Sequence, residues 1–372
     1  MQGTKTVWIL GSGFSKSLGG PTLYELIGPK GEQLTQEAFP RLGKREVVYH
    51  LFRKHQQTLW AHAETFLEFI DLAMIPNSPH RSLVERLANN SAYELHRGSS
   101  AMPSPLALEE LRLDAVMTVA AECSTYTHNT DLRAEAWAPY HEFKDMLGTE
   151  DTVITFNYDL VLESLAPGKN LQHTSFMRPD QPKAQQLATV LKLHGSVNWG
   201  LDKNGGIHKV DRLEDFRANE WQPLIATPGS TKASYCSSHL KPLWDEALAA
   251  LKQAETIVFV GYRFPPSDAE ARTRLLRAIG ANNSLYLKIH LVLGPDVNTS
   301  DVLRLKGLLL HTLATRRVEA GNPDNMDVSR QLRLMYNLVT QPLYAEDFLT
   351  VVTVNELNDG QVARTIKQSR SP

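Results

Sequence analysis

The feature that most constrains this chain is a set of short, unbroken apolar runs, rich in β-branched residues and far apart in sequence. Thr6 to Leu10, Thr152 to Phe156, Thr256 to Val260 and Leu285 to Leu293 each read as a strand, and Ala188 to Leu193 as a fifth. Strands that are apolar at every position are covered on both faces, which is the habit of parallel sheets in α/β folds. Helical periodicity separates the runs. His239 to Ala254 puts Leu240, Leu243, Trp244, Ala247 and Leu251 on one stripe; Asp268 to Ile279 does the same with Ala271, Leu275, Leu276 and Ile279. The alternation predicts an α/β fold with a doubly wound, Rossmann-like parallel sheet.

One stretch does not fit that plan. From Arg41 to Leu147 the pattern is helical, as in Leu59, Ala63, Phe66, Leu67, Ile70 and Met74, with breaks at Pro76 to Pro79, Asn89 to Ser91 and His96 to Pro105. Such a crossover is far too long for a plain βα loop. The predicted division is therefore a sheet domain from residues 1–40 and 148–300, a large helical insertion over 41–147, and a C-terminal region of mixed or uncertain structure over 301–372. Within the last, Phe348 to Val354 reads as a strand from its Val and Thr content, and Val362 to Pro372 as a frayed polar end.

Composition narrows the function. Lys plus Arg is 39 and Asp plus Glu is 41, a net charge of −2, so no general attraction to nucleic acid or an anionic membrane is expected. The two cysteines, Cys123 and Cys236, are far apart in sequence and cannot build a four-cysteine zinc site. The apolar stretch from Val7 to Leu10 is too short for a signal sequence, and no run is long enough for a membrane helix. The expectation is a soluble, cytoplasmic protein.

Four loops at predicted carboxyl ends of strands carry the chemistry. Gly11-Ser12-Gly13-Phe14-Ser15-Lys16 is a glycine turn opening a helix, either a phosphate cradle or a purely structural turn. Lys16 replaces the third glycine of the dinucleotide fingerprint, and no acidic strand end follows, which opposes a hydride-transfer enzyme. In Thr155-Phe156-Asn157-Tyr158-Asp159, Asn157 and Asp159 share a side if the chain stays extended; either could instead cap the next helix. Leu191-Lys192-Leu193-His194-Gly195-Ser196 offers a histidine, able to exchange protons near neutral pH, beside a glycine that leaves room for a ligand. In Gly261-Tyr262-Arg263-Phe264-Pro265-Pro266-Ser267-Asp268, Gly261 can admit a phosphate or ribose, while Asp268 reads as a helix cap. The loops converge on one rim, as in α/β nucleotide sites.

Taken in order, GSGFSKSLGGP, TFNYD, LKLHGS and VGYRFPPSD resemble the bacterial sirtuin-like NADases of anti-phage defence systems, over roughly residues 5–27, 151–200 and 222–295. The resemblance implies an NAD+ glycohydrolase. Asn157 and His194 would be its catalytic residues. Gly11, Ser12, Gly13, Phe14, Ser15, Asp159, Gly195, Ser196, Gly261 and Tyr262 would bind NAD. NAD is then a consumed substrate; no cofactor and no zinc are expected. Control by homo-oligomer contacts or by a defence partner such as a HerA-type ATPase or a short Argonaute is implied, with the helical insertion as candidate contact surface, lid or plain scaffold. The chain also departs from sirtuin deacylases. Pro21 is followed by Thr22-Leu23-Tyr24 rather than Asp-Phe-Arg, Val197-Asn198-Trp199 stands where the zinc module begins, and Leu293-Gly294-Pro295 leaves the adenosine contacts unmatched. Those departures speak against a protein deacylase. A catalytically silent NAD or ADP-ribose sensor is the other alternative.

Overall fold

The computed structural model describes residues 5–40, 42, 45–99, 104–165, 171–173, 188–227, 236–284, 287–315, 337–352 and 357. In chain order come β1 (Thr6–Leu10), the single turn α1 (Ser12–Ser15), then α2 (Pro29–Ala38), α3 (Arg45–His55), α4 (Ala63–Met74), α5 (Arg81–Leu95), α6 (Leu108–Glu122) and α7 (Ala138–Met146). After them come β2 (Thr152–Thr155), α8 (Val161–Leu165), β3 (Leu171–His173), β4 (Ala188–Lys192), β5 (Gly195–Leu201), β6 (Ile207–Lys209), α9 (Asp215–Ala218) and β7 (Gln222–Ile225). The chain continues through α10 (Lys241–Gln253), β8 (Thr256–Val260), α11 (Ala269–Gly280), β9 (Lys288–Val292), α12 (Ser300–Ala314), β10 (Leu338–Gln341) and α13 (Ala345–Val351).

Seven strands form one sheet in the order β10-β9-β8-β1-β2-β4-β3, with every pair parallel. At its centre Trp8 lies opposite Val153 of β2 on one side and Val258 of β8 on the other. The chain leaves β1 toward β2 and leaves β8 toward β9, so the strand order reverses between β1 and β8. In open α/β sheets that is where ligands bind, outside the carboxyl ends.

Alternate residues of each strand feed two cores. Val7, Ile9, Ile257 and Phe259 face Leu243, Trp244, Leu275 and Leu305 from α10, α11 and α12. Trp8, Leu10, Val153 and Val258 face Phe143, Val161 and Phe348 from α7, α8 and α13. This double cover is why the strands read as continuous apolar runs. Each buried large side chain contributes roughly 1.5–3 kcal/mol.

A third core belongs to helices α2 to α6. Val48, Phe52, Phe66, Ile70 and Val119 pack there together with Val197, Phe216 and Ile225. The last three come from β5 to β7, which include a separate antiparallel sheet of order β6-β5-β7. That sheet was not foreseen, because Val197-Asn198-Trp199 is neither a continuous apolar run nor a long alternation.

The C-terminal strand expectation fails. Residues 345–351 are the helix α13, with Ala345, Phe348 and Leu349 buried at helical spacing and acidic residues in the first turn. The strand of this region is β10, which precedes it. Packing against α7 outweighs the β propensity of the Val and Thr residues. The frayed end read at Val362 to Pro372, and the start of the run at Leu285, lie outside the described residues. No helix among the described residues is long and apolar enough to cross a membrane.

Candidate active site

The glycine turn and the loop after β8 meet main chain to main chain. A Cβ placed on Gly13 would lie 2.6 Å from the Gly261 Cα, and one on Gly261 would lie 2.4 Å from the Gly13 Cα. Gly261 also has φ +67°, a region that favours glycine. A Cβ on Gly11 would meet the Gly261 oxygen at 2.7 Å. These three glycines are thus required by the close approach of two loops. The turn's N–H groups are largely taken as well. Gly11 N donates to Val260 O (3.0 Å), Gly13 N to Gly261 O (3.3 Å) and Phe14 N to Gly11 O (2.8 Å). Ser12 is half-buried at the start of α1. The Phe14 ring turns into the core, edge-on to Tyr140 at 5.1 Å and Phe143 at 5.5 Å.

Ser15, Asn157 and Asp159 come together, as their motifs predict. Ser15 Oγ donates to Asp159 Oδ2 at 2.7 Å. Asn157 Nδ2 donates to Gly11 O at 2.9 Å and to Ser15 Oγ at 3.1 Å. Asp159 Oδ1 accepts from Val161 N at 3.0 Å, so this carboxylate also satisfies the start of α8. Tyr126, just past α6, hydrogen-bonds to Asp159 and Ser15 as well, and burial with the Asp159 charge holds its hydroxyl protonated, far above the usual tyrosine range. The helical stretch therefore supplies the rear of the site through Tyr126.

His194 forms a second, buried group. Its ring is edge-on to Phe156 (4.8 Å) and tilted against Tyr158 (6.3 Å). Its Nε2 stands 3.9 Å from Asp268 Oδ1, an ion-pair distance too long for a hydrogen bond. Asp268 Oδ2 accepts from the Tyr262 hydroxyl at 2.8 Å. Tyr262 stacks flat on Phe156 with centroids 4.0 Å apart and an interplanar angle of 2°. Burial and the Asp268 charge raise the Tyr262 pKa well above its ordinary value, so it stays a donor. Asp268, read from sequence as a helix cap, makes no side-chain cap bond to α11. It does stand at the N-cap position, with its carboxylate turned to Tyr262 and His194.

Gly195 and Ser196 serve the frame around these groups. Gly195 has φ +79°, and a Cβ there would meet the Leu224 oxygen at 2.0 Å, so the expected room for a ligand is filled by β7. Ser196 is fully buried and bonds Asn198 Oδ1 at 2.8 Å. It also accepts from Lys192 Nζ at 2.8 Å. Lys192, 3% exposed, donates further to Glu163 at 3.0 Å and to the Asp159 carbonyl. One buried ammonium thus ties the Asn157 loop to the strand carrying His194. Sequence reasoning gave no site role to Lys192, Asp268 or Tyr126. Only Lys192 left a signal: a lysine ending an apolar strand must find partners when buried. Among the described residues no group of three or more His, Cys, Asp or Glu is placed to hold a metal ion.

Fold and site together define a doubly wound α/β domain with its polar cluster at the strand carboxyl ends. More particularly, residues 151–304 match the family model described as a SIR2-like domain. The comparison with curated proteins gives no match. Among solved structures, the chain is similar to a crystal structure of Sir2 in complex with the inhibitor EX-527, 2'-O-acetyl-ADP-ribose and deacetylated p53-peptide. The identity is 11%, the coverage 96% of this chain and 94% of that chain, and the TM-score 0.35. A second similar structure concerns the structural basis of sirtuin substrate affinity, with 14% identity, coverage of 83% and 95%, and a TM-score of 0.35.

Proposed function

We propose that the protein is an NAD+ glycohydrolase, cleaving the bond between nicotinamide and C1′ of the ribose. The observation that carries this reading is the placement of Asn157 and His194, at the ends of β2 and β4, within the part of the chain that matches the SIR2-like domain. The leaving pyridinium is already cationic, so its departure needs no general acid. The electrons of the C1′–N bond pass to the ring nitrogen, a water oxygen adds to C1′, and His194 accepts the proton that this water or a ribose hydroxyl loses, a role worth about 10²–10⁴ in rate. Asp268 faces His194 and favours the imidazolium so formed. Asn157 would hold ribose hydroxyls, and Asp159 the carboxamide.

The wider reading keeps the family implication: an NAD-depleting effector of anti-phage defence, cytoplasmic, homo-oligomeric and held in check by assembly or a partner protein. The burial of His194, 3% exposed, fits an enzyme that is closed until something opens it. Nicotinamide release from NAD tests the reading, with Asn157→Ala and His194→Ala in parallel and folding checked. Release by the wild type and loss in both variants is expected. Release that survives both variants sinks the assignment of the site. NAD binding without release in every assembly favours the silent sensor, and turnover of an acyl-lysine peptide favours the deacylase.

A further inference from the structure

The segment that continues the glycine turn, from Gly19 to Gly28, ends in an unusual arrangement. Ile27 has φ +58°, a left-handed backbone that a β-branched residue adopts only when its surroundings force it. Its side chain is completely buried in the helical core. What fixes it is Glu122, the last residue of α6. Both carboxylate oxygens accept from Ile27 N, at 3.1 and 3.0 Å. Oε1 also accepts from the Tyr49 hydroxyl of α3 at 2.7 Å, and Tyr49 in turn meets Thr35 of α2 at 3.1 Å. The carboxylate is tightly enclosed. A Cβ on Gly31 would lie 2.2 Å from Oε1, which explains a glycine inside α2. Four residues further on, Tyr126 reaches Ser15 and Asp159. The end of α6 therefore grips both the glycine turn and the segment that leaves it.

We propose that Glu122 is a positioning residue for the site: it latches the Gly19–Gly28 segment by holding the strained backbone of Ile27, and proton uptake on its carboxylate loosens the latch. The proposal rests on the NAD reading only for its link to turnover. A charged acceptor holds an N–H about twice as strongly as a neutral one, so the protonated carboxyl is the weaker clamp. Burial raises the Glu122 pKa to about 7, with Tyr49 and Ile27 donation lowering it and the Glu32 charge raising it. The titratable groups that face it are Tyr49 from α3, Glu32 from α2 and the adjacent Cys123; Glu32 is itself held by Arg53 of α3.

The test is amide hydrogen exchange of residues 19–28 in the full chain without NAD, from pH 6 to pH 8, corrected for the intrinsic pH dependence of exchange. Protection of Ile27 is expected to rise at least about threefold across a midpoint near 7 in the wild type. Glu122→Gln should abolish the pH dependence. Tyr49→Phe removes a donor that favours the charged form and should move the midpoint up. Glu32→Gln removes a repelling charge and should move it down. Opposite shifts from two variants outside the latch itself are not expected of a merely structural carboxyl. A wild type without pH dependence, or midpoints that stay put in both Tyr49→Phe and Glu32→Gln, overturns the proposal, and these two variants decide the matter if Glu122→Gln does not fold. NAD affinity is measured on the same samples. A latch that behaves as described in a protein that does not bind NAD leaves the proposal standing and removes the NAD reading.

Discussion

His194 and Asp268 stand 3.9 Å apart, Nε2 to Oδ1, both buried, although 74 positions separate them in sequence. The carboxylate is kept there by Tyr262, whose hydroxyl donates to its other oxygen. Tyr262→Phe keeps the stack on Phe156 and removes only that donor. It should cost about 1.5–3 kcal/mol, the usual range for a bond to a charged group. Urea denaturation measures it, with near-ultraviolet dichroism expected to change little. A loss under about 0.5 kcal/mol would show that Asp268 does not depend on Tyr262.

The glycines make a graded series. Gly261→Ala and Gly195→Ala each combine a left-handed φ with a backbone clash, and each should lose about 3 kcal/mol or more. Gly307, exposed in α12, has nothing within 4 Å of the added methyl, so Gly307→Ala should gain up to about 1 kcal/mol. Thermal melts of the three variants check the order. Equal effects at all three positions would refute the role assigned to the close loop contact.

Lys192→Met tests the tie between the two loops. Glu163 loses its cation, and the Asp159 carbonyl and Ser196 lose a donor, for a cost of roughly 3 kcal/mol. The Asn157 and His194 loops should show a larger rise in amide exchange than α12, which packs against α11 and β10, away from this network. Uniform loosening throughout the chain would point to general instability instead.

His290, buried between β8 and β10, gives a pH dependence with a definite sign. Burial lowers its pKa from 6.5 to about 4 in the folded chain. The folded state therefore favours neutral imidazole. The stability so gained is present above the unfolded pKa and is lost as pH falls from about 6.5 toward 4. Comparing wild type with His290→Gln by urea denaturation at pH 7.5 and 4.5, the wild type should lose roughly 2–3 kcal/mol more on acidification. Parallel losses in both proteins would show that other groups set the acid limit.

The central strands were legible because they are covered on both faces, so residues such as Val7 to Leu10 and Ile257 to Val260 leave no polar position to confuse the reading. The motif residues were legible as a cluster: Ser15, Asn157 and Asp159 do meet. What sequence could not give was how each is used. Gly195 looks like space for a ligand, yet its missing side chain makes room for Leu224. Asp268 looks like a cap, and three-dimensional closure gives it to His194 and Tyr262. Glu122 and Tyr126 sit in a helical stretch with no local sign of a site, since their partners lie some hundred residues back or a few dozen ahead. The antiparallel sheet after β4 and helix α13 depend on packing against other elements, which local composition does not record.

The contact between Gly13 and Gly261 has a mechanical side. Two main chains in van der Waals contact, cross-bonded through Gly13 N and Gly261 O, leave no side chain between them that could swing aside. The floor of the site thus moves as a single body with β1 and β8. Beside this contact the chain rests on side chains instead, as Ile27 does on Glu122 and Ser15 on Tyr126. The glycines act as a rivet between two strands that the chain order places 250 residues apart.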